Sequence, residues 1–345
     1  MRVLIIGGTG VISSGITPLL LRRGDEVVLY NRGASGVEFE GGFELVRGDR
    51  NDFAQFETAM KRQRPFDCVV DMIGFVPAQV ESDIRAFRGR TGQFIFCSTV
   101  DVYQKPARRY PITESEPRRA VPEFRYAYDK VACERLLEAA YHPSDFPLTI
   151  IRPAHTYVRR LVHTLRGGTY WVDRLRRGMP VICHGDGQSL WGSCHRDDVA
   201  KAFVNAIGNR KAIGEDYHVT GEEWMTWDQI YAHIADAAGG PPPELVHIPT
   251  DLLVRAVPEA EWCGLNFQYD NIFDNSKAHR DLGFEYTVQF PEGSRSAVQA
   301  LLQRGEVENA DAHTWYDDVI SEWRAMSGRF ASALQAARAP NTPGG

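Results

Sequence analysis

The sequence predicts an α/β fold, a doubly wound parallel sheet with a smaller, interleaved region toward the C-terminus. Three observations predict it. Short β-branched runs alternate with helical patterns through the first half of the chain, a glycine-rich turn follows the first run, and the alternation loosens after Pro153. The segments between runs are long enough for right-handed crossovers, which place helices on both faces of one sheet.

The first half contains six predicted strands and four predicted helices. The strands are Arg2–Ile6, Glu26–Tyr30, Phe43–Arg47, Cys68–Met72, Gln93–Ser98 and Leu148–Arg152. The helical patterns are Ser14–Arg23, Asp52–Arg62, Val80–Arg88 and Tyr126–Tyr141. Later elements are predicted at Asp198–Ile207, Tyr217–Val219 and Trp227–Ala238. The run 239–243, two glycines and three prolines, predicts a loop because neither a helix nor a central strand tolerates it.

The change in pattern also divides the chain. Residues 1–155, with returning elements at about 196–222, form the predicted larger domain, and residues 156–195 and 223–330 form the smaller region. From about Gln335 the chain is rich in Ala, Pro and Gly, so residues 331–345 are predicted to be a flexible tail.

Composition excludes several classes of protein. A net charge of −6 gives no general attraction to nucleic acid or anionic membranes. No run approaches the roughly 20 apolar residues that cross a bilayer, and Met1 leads directly into a strand. The six cysteines form no CxxC pair, and no His, Asp and Glu set stands at ligand spacing on one element. We therefore expect a cytoplasmic protein without disulfides, metal, membrane or nucleic-acid partners.

The first strand runs into Gly7-Gly8-Thr9-Gly10, and a helix follows. Gly7 permits a tight turn, Gly10 allows backbone to approach a pyrophosphate, and the helix N-terminus supplies N–H groups and a positive dipole end. This context predicts dinucleotide binding. Ser13 stands where such motifs have their third glycine, so a slightly larger residue must allow the close packing of the helix against the strand.

Further segments follow the glycine turn in a fixed order. They are Gly48–Asp52, Ser98–Tyr103, Tyr126–Lys130, Arg152-Pro153 and His195–Ala200. Together they resemble the extended short-chain dehydrogenases/reductases, which include the NAD(P)-dependent nucleotide-sugar epimerases and dehydratases. The resemblance extends to about residue 300. It implies a Rossmann fold, a sugar or nucleotide-sugar substrate, and a homodimer formed through the helices predicted at Val80–Arg88 and Tyr126–Tyr141.

The resemblance also implies a cofactor site built from several strand ends. Its residues are Gly7, Thr9, Gly10, Val11, Ile12, Asn31, Arg32, Asp49, Arg50, Ile73, Ser98, Tyr126, Lys130 and Pro153. NAD-preferring members carry an acidic residue where this chain has Asn31 followed by Arg32. A guanidinium binds a 2′-phosphate in bidentate fashion, so the cofactor is NAD or NADP, with NADP slightly favoured. Asp49 resembles the adenine-contacting carboxylate of the family, or belongs to the start of the following helix.

Tyr126 and Lys130 lie four residues apart on a predicted helix and project from one face. A neighbouring ammonium lowers the pKa of a phenol, so we expect Lys130 to favour the phenolate of Tyr126 as a base. The resemblance implies that Lys130 also holds the nicotinamide ribose and that Thr99 positions the reacting hydroxyl. Tyr128 faces elsewhere and has no lysine four residues later.

Dehydratases of the family carry Asp and Glu after the threonine, because eliminating water needs an extra acid and base. This chain has Val100 and Asp101, which disfavours a standard 4,6-dehydratase. Asp101 is a candidate acid or base, with the capping of a turn as its alternative.

Four further residues are candidates for substrate binding beside Thr99 and Tyr126. His155 stands where the family usually has Asn, and Arg174 belongs to a local excess of arginine that suits diphosphates or a solvated helix face. Trp191 and His195 have packing as their alternative role.

The leading hypothesis is an epimerase-type oxidoreductase that transiently oxidises a sugar hydroxyl to a ketone and returns the hydride. The alternatives are a one-way ketoreductase or dehydrogenase, a sugar dehydratase, and a non-catalytic nucleotide- or RNA-binding protein. The stretch Asn31–Gly33 resembles an atypical branch of the family with plastid RNA-binding members, although a pI near 6.0 argues against strong RNA affinity.

Overall fold

The computed structural model describes residues 1–33 and 39–338, which form two compact units. The sheet unit comprises Met1–Val162, Ser189–Met225 and Leu265–Ser294, and the second unit comprises His163–Gln188, Thr226–Gly264 and the chain from Arg295 onward. The sequence placed residues 265–294 in the smaller region. They belong to the sheet unit because Ala278, Leu282 and Phe284 pack into its core with Val3 and Ile5.

Strands and helices agree closely with the predicted alternation. The strands are β1 (Arg2–Ile6), β2 (Glu26–Asn31), β3 (Glu44–Arg47), β4 (Cys68–Asp71), β5 (Phe94–Cys97), β6 (Leu148–Pro153), β7 (Thr156–Tyr157), β8 (Val181–His184), β9 (Leu190–Trp191), β10 (Cys194–His195), β11 (Asp216–Val219), β12 (Met225–Thr226) and β13 (Leu245–Ile248). The helices are α1 (Ser13–Arg23), α2 (Phe53–Arg62), α3 (Pro77–Phe87), α4 (Arg125–Ala140), α5 (Tyr170–Arg176), α6 (Arg196–Ala206), α7 (Trp227–Ala237), α8 (Thr250–Ala256), α9 (Ser276–Leu282), α10 (Phe290–Gln303) and α11 (Thr314–Arg338).

A seven-stranded parallel sheet forms the centre of the sheet unit, in the order β11-β6-β5-β4-β1-β2-β3. Alternating residues of β1 point to the two faces of the sheet. Val3 and Ile5 pack with α1 and α6, whereas Leu4 and Ile6 pack with the helices of the other face. Because chain order reverses between β1 and β4, the carboxyl ends of these strands border a crevice, where ligands of such sheets bind.

Three helix boundaries differ from the predictions by two or more residues. Helix α3 begins at Pro77 rather than Val80, because proline is tolerated in the first helical turn. Helix α6 begins at Arg196 rather than Asp198, and its N-cap is His195. Helix α11 continues to Arg338 through part of the predicted tail, and residues 339–345 lie outside the described residues.

The second unit is built around the parallel strand pair of β8 and β13, with α5, α7, α8 and α11. Two buried tyrosines tie it together. The hydroxyl oxygen of Tyr316 accepts a hydrogen bond from the N–H of Ile182 at 2.7 Å, and the Tyr231 hydroxyl donates one to Thr164 Oγ1 at 2.8 Å. In the part of the chain that is described, no helix is both long and apolar enough to cross a membrane.

Candidate active site

The glycine turn between β1 and α1 is closed by a buried serine. Gly7 has a φ of +84°, and a side chain there would collide with Ile73. Ser13 Oγ accepts a hydrogen bond from the N–H of Gly10 at 2.8 Å and donates one to the carbonyl of Gly7 at 2.7 Å. The departure at Ser13 therefore adds two hydrogen bonds that hold the turn in shape, rather than loosening it.

Two cavities open on either side of this turn. The Arg32 cavity has a volume of about 370 Å³ and the Tyr126 cavity about 430 Å³. They share Gly7, Gly10, Ile73 and Phe75. The predicted cofactor residues Thr9, Asn31, Arg32, Asp49 and Arg50 line only the Arg32 cavity. Val11, Ile12, Ser98, Tyr126, Lys130 and Pro153 line only the Tyr126 cavity.

The space at the shared turn fits a dinucleotide. A Cβ built at Gly10 would have no neighbour nearer than Ser13 Oγ at 3.4 Å, so open space lies beside this glycine, which lines both cavities. A pyrophosphate needs such a close backbone approach beside the start of a helix. The structure thus brings the fourteen predicted cofactor residues to two adjoining cavities of one sheet edge.

The polar side chains of the Arg32 cavity differ in their exposure and in their hydrogen bonds. Arg32 and Asp49 are exposed, and Asn31 Oδ1 accepts a hydrogen bond from the N–H of Gly33 at 2.7 Å. Asp49 Oδ1 accepts one from the N–H of Asn51 at 2.9 Å. Arg32 is thus a cation at the cavity edge that is open to solvent.

Arg50 lines the Arg32 cavity, but its guanidinium is directed away from that space. Arg50 is buried, pairs with Asp83 on α3 at 2.7 Å, and lies 4.1 Å from the centroid of the Phe56 ring. Burial, aided by the nearby charge of Asp71, raises the pKa of Asp83 well above its usual range, and Arg50 opposes this shift. The guanidinium is turned toward the helices beneath the cavity because its buried partner lies there.

Tyr126 stands in the first turn of α4, half-buried, next to Thr99. Burial is the main cause that raises the pKa of Tyr126, and the negative charge of Asp101 adds to it. A side-chain hydrogen bond with Thr99 lowers this pKa by less, so the net shift is upward. Thr99 Oγ1 also accepts a hydrogen bond from the N–H of Asp101 at 3.2 Å, which fixes its position. Tyr128, by contrast, is 43% exposed.

Lys130 is buried at the back of the same cavity. Its Nζ donates to the carbonyl of Cys97 at 2.6 Å and lies 4.5 Å from the ring centroid of Phe96 and 5.1 Å from that of Phe75. Lys130 shares the cavity with Tyr126, and its lowering of the Tyr126 pKa stays a prediction. Burial and Asp101 dominate that pKa, while the ammonium is directed at a carbonyl and two aromatic faces.

Asp101 belongs to a buried polar cluster beside Tyr126. It accepts a hydrogen bond from Asn266 Nδ2 at 3.0 Å and pairs with Lys105 Nζ at 3.5 Å. Lys105 also donates to Asn266 Oδ1 and lies 5.9 Å from the ring of Trp191. Sequence reasoning missed Lys105 and Asn266. The spacing of four residues from Asp101 could have indicated Lys105, whereas nothing local points to Asn266.

The predicted substrate residues separate into two groups. His155 lies half-buried in the sheet unit, with Nδ1 3.0 Å from Ser193 Oγ, and burial lowers its pKa to about 4, so it is neutral at physiological pH. His195 Nδ1 accepts a hydrogen bond from the N–H of Asp197 at 3.3 Å, and burial lowers its pKa. Both rings contact Tyr157.

Trp191 and Arg174 are both buried and packed against other protein side chains. Trp191 is buried and packs edge-on against Phe267 with ring centroids 5.1 Å apart. Arg174 lies fully buried in the second unit, where it pairs with Asp317 at 2.5 Å and stacks over Tyr316. The expectation that Arg174 reaches a substrate is wrong because its guanidinium is enclosed by these partners.

Comparison with known proteins places the chain in a family. A model described as the NAD dependent epimerase/dehydratase family matches residues 3–220. The chain belongs to this family. Membership confirms the predicted family and fold class and, at the level of the family, an enzyme of the epimerase/dehydratase type.

Known relatives of this protein carry names of different functions. It is 26% identical over 315 residues to 2′-dehydrokanamycin reductase of Streptomyces kanamyceticus, a match that covers 90% of this chain and 87% of that protein. It is 28% identical over 259 residues to the chloroplast stem-loop binding protein of 41 kDa b of Arabidopsis thaliana. That match covers 71% of this chain but only 65% of the relative's length.

Solved structures share its fold. UDP-glucose 4-epimerase of Thermotoga maritima, solved with UDP-glucose, has a TM-score of 0.70 and 22% identity, covering 89% of this chain and 100% of that one. WbmH of Bordetella bronchiseptica, solved with NAD+, has a TM-score of 0.68 and 22% identity, covering 88% and 99%. These likenesses establish the architecture of the family member.

Proposed function

We propose that this chain is an NAD(P)-dependent oxidoreductase of the epimerase type, which oxidises a hydroxyl of a nucleotide-linked sugar to a ketone and then reduces it again. The observation that carries the proposal is the Tyr126 cavity. Tyr126, Thr99 and Lys130 line this cavity together with residues of the glycine turn. When bound there, a nicotinamide supplies the site that accepts a hydride and gives it back.

Each residue has a distinct task in this proposal. Tyr126 takes the proton of the substrate hydroxyl and later returns it, while Thr99 orients that hydroxyl. Lys130 is held by the Cys97 carbonyl and forms the floor of the cavity. A phenol is protonated at neutral pH, and the raised pKa of Tyr126 keeps it so, which suits this side chain to return the proton to a ketone. The ammonium of Lys130, which lines the same cavity, is the positive charge that favours the phenolate of Tyr126 in the opposite step.

The cluster around Asp101 favours epimerisation over dehydration. Elimination of water needs an extra acid and an extra base. Val100 offers neither, and Asp101 is engaged by Lys105 and Asn266. The same cluster borders Tyr126, so it is suited to hold a polar substituent of the substrate next to the reacting hydroxyl.

A second candidate function is a one-way reductase that exchanges NADP(H) with solvent. Arg32 is an exposed cation in the Arg32 cavity, and the side-chain oxygen of Asn31 is engaged by Gly33. This arrangement suits a 2′-phosphate better than two free ribose hydroxyls. A relative that covers most of this chain is named a reductase. We therefore propose NADP as the preferred cofactor.

Two further proposals follow from the family resemblance. We propose a homodimer formed through α3 and α4, where the exposed side chain of Tyr128 is available for contact, and a cytoplasmic location. The RNA-binding alternative rests on the resemblance of Asn31–Gly33 and on one relative, of which the match covers 65%. The net charge of −6 opposes it, because nucleic-acid affinity depends on clustered positive charge.

The deciding experiment is to denature the purified protein and identify any released dinucleotide by mass and by ultraviolet absorbance. Stoichiometric oxidised NAD or NADP supports epimerisation, because the hydride is retained between half-reactions. A protein that releases none but binds added NADPH supports the one-way reductase. A protein that binds neither NAD(H) nor NADP(H), and instead binds a stem-loop RNA, contradicts the catalytic proposal.

A further inference from the structure

Three side chains able to bind a metal converge in the second unit, outside the cavities already described. They are Cys183 on β8, Asp228 near the start of α7 and His247 on β13. The sulfur, one carboxylate oxygen and one imidazole nitrogen all lie within 4.8 Å of one another. In residues 1–33 and 39–338, this is the only group of three such ligands.

The fold itself creates the convergence. In the parallel pair of β8 and β13, Cys183 and His247 are direct partners in the register, so their side chains stand side by side on one face. Asp228 approaches from α7, and its Oδ1 lies 2.8 Å from His247 Nε2. A search for ligands along single elements of the sequence does not find a set drawn from three elements.

Two neighbouring residues shape the space around this group. Gln188 Nε2 donates a hydrogen bond to Asp228 Oδ2 at 3.0 Å, which orients the carboxylate while Oδ1 faces His247. Gly187 has a φ of +72°, and a Cβ there would lie 2.8 Å from His247 Nε2 and closer still to Asp228 Oδ1. Glycine at this position therefore leaves free the space in front of the donor atoms.

We propose that Cys183, Asp228 and His247 bind one zinc ion. Sulfur, nitrogen and oxygen donors are the set that zinc takes in proteins, whereas magnesium and calcium take oxygen alone. On binding, the Cys183 thiol loses its proton to solvent and its sulfur forms the bond to the metal, with no change of oxidation state. The thiolate and carboxylate balance the two charges of the ion.

Burial fits a site with one open position. Cys183 is fully buried, while the side chains of Asp228 and His247 are 31% and 36% exposed. A zinc ion held here therefore has three protein ligands and solvent in its fourth position. It also ties β8, β13 and α7 together. A two-stranded pair is weak by itself, so we infer that zinc stabilises the second unit.

The test uses the full chain, freed of metal with a chelator that is then removed, and titrated with zinc chloride. Calorimetry should show one zinc ion per chain, and thermal unfolding should shift upward until the site is saturated. The variants His247→Gln and Asp228→Asn should lose about tenfold or more in zinc affinity, because each removes a ligand. Cobalt in place of zinc should give a thiolate charge-transfer band that Cys183→Ser lacks.

A matched control separates this site from ordinary surface binding. His279 Nε2 lies 2.6 Å from Glu222 Oε1, a histidine and carboxylate pair in the sheet unit. His279→Gln should leave zinc affinity unchanged. The proposal is overturned if the wild-type chain binds no zinc, if affinity survives in His247→Gln, or if His279→Gln weakens binding equally. Because His247 is partly exposed, its variant should fold even where Cys183→Ser does not.

Discussion

The two cavities beside the glycine turn share part of their walls and differ in how their polar side chains are held. In the Tyr126 cavity, Lys130 is bound to the Cys97 carbonyl and Thr99 to the backbone of Asp101. In the Arg32 cavity, Arg32 and Asp49 are exposed. We propose from this comparison that buried contacts fix the reacting end of the site, while the exposed side chains set which dinucleotide is preferred. Substitutions at the two ends should therefore change different quantities.

The largest effect is expected at the reacting end. Tyr126→Phe removes the proton acceptor, so turnover should fall by about 10²–10⁴-fold while dinucleotide affinity stays close to that of the wild type. Steady-state rates and dinucleotide titrations measure the two quantities separately. The control Tyr128→Phe, at an exposed position of the same helix, should change neither. Full activity in Tyr126→Phe would overturn the catalytic assignment.

The next effect is expected at the other end. Arg32→Glu replaces a cation with an anion at the Arg32 cavity, so NADP affinity should fall by about 10–100-fold relative to NAD affinity. Fluorescence or calorimetric titration with both dinucleotides checks this. Arg22→Glu makes the same change at an exposed position of α1 and should leave the ratio unaltered. An unchanged ratio in Arg32→Glu would remove the basis for NADP preference.

A smaller effect tests the electrostatics of the reacting end. Asp101 raises the pKa of Tyr126, so Asp101→Asn should lower it. Where the rate depends on ionised Tyr126, the rising limb of the pH profile should move to lower pH, by up to about one unit. Asp49→Asn, at the other cavity, should leave the limb in place. Movement of the limb to higher pH in Asp101→Asn contradicts the assignment.

The smallest effect concerns the turn that both cavities share. Ser13→Ala removes two hydrogen bonds to the turn, so dinucleotide affinity should fall by a few-fold, which corresponds to about 0.5–1.5 kcal/mol. Because the turn serves both cavities, binding of NAD and NADP should weaken by the same factor, which titration with each dinucleotide measures. Weakening of only one would show that the turn does not serve them equally.

Sequence reasoning recovered the sheet because buried parallel strands read as continuous apolar runs, as in β1 and β4. It also recovered the cavity residues that lie at strand ends. It failed for Arg174, and it did not foresee which way the Arg50 side chain points, because a residue type reveals charge but not its partner. The partners Asp83 and Asp317 lie far along the chain. The hydrogen bond from Asn266 to Asp101 could not be predicted for the same reason, because the two residues meet only in the folded chain.

The central claim is that the two cavities hold one dinucleotide, with its adenosine end at Arg32 and its nicotinamide at Tyr126. The most direct measurement is a crystal structure of the protein with NADP+. The account predicts the 2′-phosphate beside Arg32, the pyrophosphate at the turn of Gly7 and Gly10, and the nicotinamide next to Tyr126. A dinucleotide bound in the reverse direction, or outside these cavities, would contradict it.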